Sequence, residues 1–483
     1  MTRVSAEARG CPNAEGMHDT VRSPKTFFMK TLSAASTQAE IKSLLTLAIP
    51  LVSAQISQAA TGFVDTVMMG HLGREALGAG GLASFTFQVF LNVLAGVVMG
   101  VSPLVAAGFG AGQRTRIEQV TQQGLLLTLG LAACTMVGMS HLDVVMLGLG
   151  QAPHTVALAT SYLNVVLWGL FPAVGFALLR GVVSGLSQAR PIMTIVAGGT
   201  LFNIAGNYIL GFGKLGAPRL ELAGLALASA LAWWGMFLAL VIYLLRHPQL
   251  KVYRLFQKWY RLRLPLLREL IVIGTPIGVS ILLEYGLVLV MGYLIGLLGT
   301  DALAAHQIAL QTGLMVFMIP LGMSFATTAL VGQWFGRQDR QGLRRAGLIS
   351  IVTTIGVTAV VAIALLLFRQ PIIGLYIDIS DPENAALVEL VSPLIVVVAV
   401  GYIFDGVQKT TLGALYGIQD TRVPVLLNLL SYLGVGLISG YALGFGAGLG
   451  AQGLWIGYYL GATMAAIAYS WRFVTKLRQF DSC

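Results

Sequence analysis

A chain of 483 residues that is 56% hydrophobic and only 10% charged lies outside the soluble globular class, in which about 25% of residues are charged. Its formal net charge of +10 does not require nucleic acid, because the basic residues fall in short segments between long apolar runs, where they face anionic lipid. Three cysteines, Cys11, Cys134 and Cys483, show no metal-ligand spacing and imply no disulfide framework.

In chain order, residues 1–40 are polar and lack the apolar centre of a cleavable leader, so they read as a cytoplasmic tail. Twelve apolar stretches follow, near 43–68, 77–107, 118–140, 154–178, 191–212, 222–245, 269–297, 303–334, 343–368, 385–416, 423–446 and 450–471. Each is long enough to cross a hydrocarbon layer about 30 Å thick. With no water at that depth, each must be a helix that satisfies its own backbone. Several exceed the minimum span, which predicts tilt or bending, and Pro103, Pro172, Pro320 and Pro393 are candidate bends. The expected fold is an all-α integral membrane protein of twelve transmembrane helices in two pseudo-symmetric six-helix bundles. We divide it into an N-terminal lobe over 41–246, a basic cytoplasmic linker over 247–268, a C-terminal lobe over 269–475 and a tail over 476–483.

Lys and Arg set the orientation. Alternate connectors and the two tails hold 26 of the 30 basic residues, with Arg180, Arg190 and Lys409 counted among them. The positive-inside rule then puts both termini in the cytoplasm of a bacterial inner membrane.

The two halves are related by duplication. Residues 70–83 return as 296–309 with seven identities at an offset of 226, and the same offset pairs Pro50 with Pro276. Gly181 and Gly185 match Gly413 and Gly417, and the Leu-Gly-Phe-Gly of 210–213 matches 443–446. Six spans per half bring both halves in from the same side, so the repeat is parallel, about an axis along the membrane normal, with a substrate path expected between the lobes.

Soluble chemistry is missing. There is no P-loop, no His pair or Cys pair of metal-binding spacing and no nucleophile elbow, so neither an ATP-driven pump nor an enzyme is indicated, and no cofactor is implied. Of six histidines only His306 sits clearly inside a span, beside Gln307, where a buried polar cluster and a proton relay are both open readings.

The acids inside the membrane are the informative residues. Asp65 falls in the first span, Glu284 in the seventh and Asp405 in the tenth. A carboxylate at a helix centre costs roughly 2.5–3.5 kcal/mol to insert, so each is a functional candidate by default. Gln55, Gln58, Gly62 and Asp65 share one helical face. Through the repeat, Asp65 corresponds to Met291, Glu284 to Gln58 and Asp405 to Ala173. The glycines and prolines of the scaffold recur while the acids do not, which argues for a function rather than bracing.

The segment Gly62-Phe-Val-Asp-Thr-Val-Met-Met-Gly70, Glu284, and Phe404-Asp-Gly-Val-Gln408 running to Gly413-Ala-Leu-Tyr-Gly417 resemble the multidrug and toxic compound extrusion (MATE) family, in its NorM-like branch. The resemblance covers about residues 40–475 and implies a secondary antiporter that expels cationic or amphipathic compounds in exchange for Na⁺ or H⁺. It also implies cation coupling by Asp65, Glu284 and Asp405. Lys409 departs from the family pattern. Four residues after Asp405, it can pair with that carboxylate and compete with a coupling cation, or it can snorkel to the cytoplasmic boundary.

The expected mechanism is alternating access of a monomer in the bilayer. Gln58, Tyr285, Gln307 and Tyr402 are candidate lining residues of the substrate cleft, where aromatic rings beside an ionised acid attract lipophilic cations. The alternative is a flippase for lipid or lipid-linked oligosaccharide, which calls for a cationic cleft, whereas intramembrane charge here is acidic apart from Lys409.

Overall fold

The computed structural model describes residues 34–148, 150–257, 262–379 and 381–481. The polar tail up to residue 33, and Lys258 and Arg261 of the basic linker, lie outside them.

Twelve long helices account for almost all of the described chain. In order they are α1 (Ala34–Leu72), α2 (Arg74–Gly110), α3 (Arg114–Met139), α4 (Pro153–Gly185), α5 (Arg190–Gly211), α6 (Glu221–Arg246), α7 (Leu264–Gly296), α8 (Thr300–Gly336), α9 (Arg340–Leu367), α10 (Ala385–Gly417), α11 (Arg422–Gly446) and α12 (Gly450–Asp481). Eleven are long and apolar enough to cross a membrane on length and hydropathy alone. The twelfth, α12, has its apolar run diluted by Gln452, Trp455, Tyr458 and Tyr459, aromatic bulk that packs inside the bundle.

The prolines act locally. The missing N–H of Pro103 frees the carbonyl of Met99, and the ladder of α2 breaks at Gly100. Pro172 likewise follows a 3₁₀ turn, Leu167–Gly169, in α4. Pro320 and Pro393 are carried inside unbroken helices.

Duplication is visible in backbone detail. Gly73 and Gly299, one repeat apart, precede α2 and α8 with φ of 125° and 116°, a conformation that disfavours any residue with a Cβ. Ser187 and Gln419 both adopt φ near 60° after the equivalent Gly185 and Gly417. The fifth helix of each half ends in a π-helical turn, Asn207–Gly211 in α5 and Ala442–Gly446 in α11.

The two bundles, α1–α6 and α7–α12, approach most closely toward one end. At the end carrying the basic connectors the backbones touch. A Cβ on Gly274 would strike the Val97 carbonyl, one on Gly336 the Ala107 carbonyl and one on Gly322 the backbone of Val52. At the opposite end, Gly62 and Gly70 of α1, Gly78 and Gly81 of α2, and Gly286 and Gly296 of α7 have open space around them. Backbone-to-backbone contact between the lobes is thus concentrated toward the basic end.

Candidate functional site

Glu284 lies near the middle of α7, and Asp405 and Lys409 lie one turn apart on α10. Packing of α7, α10 and the flanking α8 brings the three charges together. Lys409 donates through Nζ to Glu284 Oε1, and its ammonium also stands 5.2 Å from the centroid of the Phe317 ring of α8. Lys409 is only 5% exposed, and eight residues, about 12 Å, separate it from the end of α10 at Gly417. It therefore does not snorkel. Nor is Asp405 its hydrogen-bonded partner, since the nearer acceptor is the glutamate of the facing helix. Asp405 is also 5% exposed and stays within electrostatic reach of both Lys409 and Glu284, yet its Oδ1 has no hydrogen-bond partner. A buried carboxylate oxygen left unpaired is costly unless something else occupies the space.

Around this triad the walls are phenolic. Tyr432 of α11 and Tyr458 of α12 lie tilted to each other at 5.5 Å between centroids, and Tyr459 and Trp455 extend the group. His306 of α8 is 2% exposed with its ring 5.6 Å from that of Trp455, so it belongs to this aromatic packing.

Asp65 lies elsewhere, in the first lobe. Its Oδ1 accepts from Asn207 Nδ2 of α5 at 2.5 Å, and its Oδ2 from Ser229 Oγ of α6 at 3.5 Å. Asn203 completes the set by donating to Ser229 and accepting from Asn207. All partners of Asp65 are neutral. The three acids thus form two sites of opposite character: a single acid among amides, and a pair of acids with a resident cation.

The remaining candidates separate. The Tyr285 hydroxyl accepts from Asn92 Nδ2 of α2 at 2.6 Å, a bond between lobes, and its ring meets Phe85 edge-on at 6.5 Å. Gln307 is exposed on α8. Gln58 is partly buried and accepts from Arg180 at 3.4 Å. Tyr402 departs from its expected place in the cleft wall: it is 2% exposed and donates its hydroxyl to the Val316 carbonyl at 2.8 Å, so it braces α10 against α8.

Arg180 escaped sequence reasoning as a site residue. Counted with the boundary charges because it lies five residues from the end of α4, it is 8% exposed and donates from Nη1 to Gln55 Oε1 at 2.6 Å. Its guanidinium lies 5.0 Å from the centroid of Phe325, which belongs to the other lobe. The signal was available: an arginine in the apolar run Phe176-Ala-Leu-Leu-Arg-Gly-Val-Val183, with two glutamines one turn apart on α1. Asn203, Asn207 and Ser229 carried no comparable mark, since lone amides and hydroxyls are common between helices.

Comparison with known proteins bears on this arrangement. The family model described as MatE matches residues 50–209 and again 276–442, so its two copies begin at the paired Pro50 and Pro276. A probable multidrug resistance protein NorM of Synechocystis sp. is 50% identical over 436 residues, covering 90% of this chain and 95% of that protein. The multidrug resistance protein NorM of Burkholderia vietnamiensis is 37% identical over 431 residues, 89% and 93% of the two chains. Among solved structures, MATE in complex with MaL6 superposes with a TM-score of 0.85 at 22% identity, covering 93% of this chain and all of that one. The eukaryotic MATE transporter AtDTX14 gives 0.81 at 19% identity over 92% and 98%. Both structures share the fold.

Proposed function

Because the chain belongs to the MatE family of membrane transporters, in its NorM-like branch, we propose that it is a secondary active exporter of lipophilic cationic compounds, driven by inward movement of Na⁺ or H⁺. The names of its relatives as multidrug resistance proteins support the substrate class. The observation that carries the coupling reading is Asp405: a carboxylate almost wholly buried in an apolar bundle, with an oxygen that no protein group satisfies. An inserted acid of that kind is expensive, and a cation delivered from the cleft relieves the cost.

With the basic connectors in the cytoplasm of a bacterial inner membrane, we read the conformation as outward-facing, a reading supported by the glycine contacts of α2, α7 and α8 toward the basic end. A cation entering from outside neutralises the acids. The lobes then rock, the inner seal parts, the cation leaves and a drug enters. Coupling needs only that cation and drug bias the same equilibrium in opposite senses. We place the cation at Glu284 and Asp405, with Asp65 as a second, separate acid. The cleft is lined by Gln58, Tyr285 and Gln307, and the transporter works as a monomer. A pyrophosphate-carrying flippase would need free cationic groups, whereas Arg180 and Lys409 are both held by protein groups.

The test uses purified protein in liposomes with tetraphenylphosphonium as probe, under an imposed Na⁺ gradient and then an imposed pH gradient. One of the two should drive accumulation of the probe against its own gradient. Movement that only ever follows the probe's own gradient would leave a channel or facilitator and end the exporter reading.

A further inference from the structure

The charges at the second lobe's site sum to an informative number. Glu284 and Asp405 contribute two negative charges and Lys409 one positive charge, all three inside the membrane-spanning bundle and within reach of one another. Lysine is not imported here by a neighbouring connector: it sits two turns inside α10, bonded to α7 and seated on the Phe317 ring of α8. A strongly hydrated ammonium is held in so dry a place only where its partners replace that hydration. In the first lobe the equivalent of Lys409 is Ala177, and the equivalent of Glu284 is Gln58. Cation and glutamate are thus both particular to the second lobe, as the two halves of one ion pair would be.

We propose that Lys409 is the resident counter-cation of the Glu284–Asp405 site, cancelling one of its two charges, so that the site takes a single monovalent cation per transport cycle. This rests on the coupling role proposed above for those two acids. The travelling ion satisfies the carboxylate that Lys409 does not, which in this conformation is Asp405, whose Oδ1 is unpartnered. Lys409 is one helical turn from Asp405 and bonded to Glu284, so it can serve either acid while the ion serves the other. The proposal sets a rule for neutralising substitutions. Removing either acid alone leaves Lys409 to balance the remaining one, the site becomes electrically complete, and no cation is called for. Removing Lys409 as well restores one uncompensated charge.

Four proteins in liposomes test this rule with tetraphenylphosphonium transport: wild type, Asp405→Asn, Lys409→Met and Asp405→Asn with Lys409→Met. Each is first shown to elute as a single species; should a Met variant not, Lys409→Gln replaces it, since it carries the same charge. Asp405→Asn should fall at least tenfold below wild type, and the double variant should recover severalfold from that level. An inactive Asp405→Asn with no recovery in the double variant overturns the charge rule while leaving the coupling role of Asp405 in place. An Asp405→Asn protein as active as wild type overturns the coupling role itself, and the rule with it. Lys409→Met alone supplies an independent readout, because its site carries two uncompensated charges. The number of driving ions exchanged per tetraphenylphosphonium, read from the gradient at which net flux reverses, should rise by one; an unchanged ratio contradicts the proposal.

Discussion

The guanidinium of Arg180, on α4 of the first lobe, lies 5.0 Å from the ring centroid of Phe325, on α8 of the second. A second contact between the lobes is made further along α8 by Gln333, which donates to the Gly185 carbonyl at 2.9 Å and to Ser187 Oγ at 2.7 Å. In the alternating-access cycle proposed above, these contacts between lobes are lost when the basic end opens. Arg180 keeps Gln55 in either state, since both belong to the first lobe, so Phe325 supplies the state-dependent part of its stabilisation.

Phe325→Ala is therefore expected to weaken the seal. A cation–π contact in a desolvated place contributes about 1–2 kcal/mol, enough to move the balance between the two states roughly five- to thirtyfold toward the state open at the basic end. Distance distributions between spin labels at the two lobes' basic ends should broaden or lengthen, with the fold unchanged. An unaltered distribution would make the contact incidental.

Glycine closes the same seal by allowing backbone against backbone. Gly336→Val and Gly274→Val place a side chain against the carbonyls of Ala107 and Val97, and a main-chain neighbour cannot rotate away. Both variants should lose transport at least tenfold and label readily at cysteines introduced in the seal. Gly70→Val and Gly296→Val, in open space at the other end, should transport within about twofold of wild type.

At Asp65 the prediction concerns the donor rather than the acid. Asn207→Leu removes the 2.5 Å bond to Oδ1 and leaves a carboxylate with one weaker partner, Ser229 at 3.5 Å. Loss of a donor to a charged group costs about 1–3 kcal/mol. The melting midpoint of the purified protein should fall by several degrees, and Asp65→Asn combined with Asn207→Leu should recover part of it. Additive losses would show that the two side chains act independently.

Glu284 and Lys409 should be strongly coupled in stability. Truncating one partner of a buried ion pair leaves the other charge uncompensated, at a cost of about 3–5 kcal/mol in soluble proteins. Lys409→Met leaves both acids uncompensated and should lower the melting midpoint, Glu284→Gln should lower it less because Asp405 is then left to balance Lys409, and the double variant should be no worse than Lys409→Met alone. A double-mutant cycle with coupling below about 0.5 kcal/mol would dissolve the pair.

Much of this fold was legible in the sequence because a bilayer leaves few choices. Runs of apolar residues must be helices, and the identities around Gly70 and Gly296 fixed the repeat, which the structure repeats down to the φ angles of Gly73 and Gly299. The division of the acids was less legible. Asp65, Glu284 and Asp405 read as one set in sequence, but spacing within a helix does not say which helix lies opposite. Spacing alone therefore offers Lys409 only Asp405, four residues away, and not the glutamate across the helix interface. In sequence, Arg180 and Lys409 read as boundary charges because each lies within a few turns of a helix end. Their burial is decided by the neighbouring helices, α1 and α8 for the one and α7 and α8 for the other. Tyr402 illustrates the same limit: an aromatic beside an acid suited a cleft, but its hydroxyl is taken by the backbone of α8.

The most direct measurement is drug extrusion by cells expressing wild type, Glu284→Gln or Asp405→Asn at equal membrane levels, scored as accumulation of a fluorescent lipophilic cation. The account predicts that both variants accumulate the probe nearly as cells without the transporter do, while wild type keeps it out. Extrusion at the wild-type rate in both variants would contradict it.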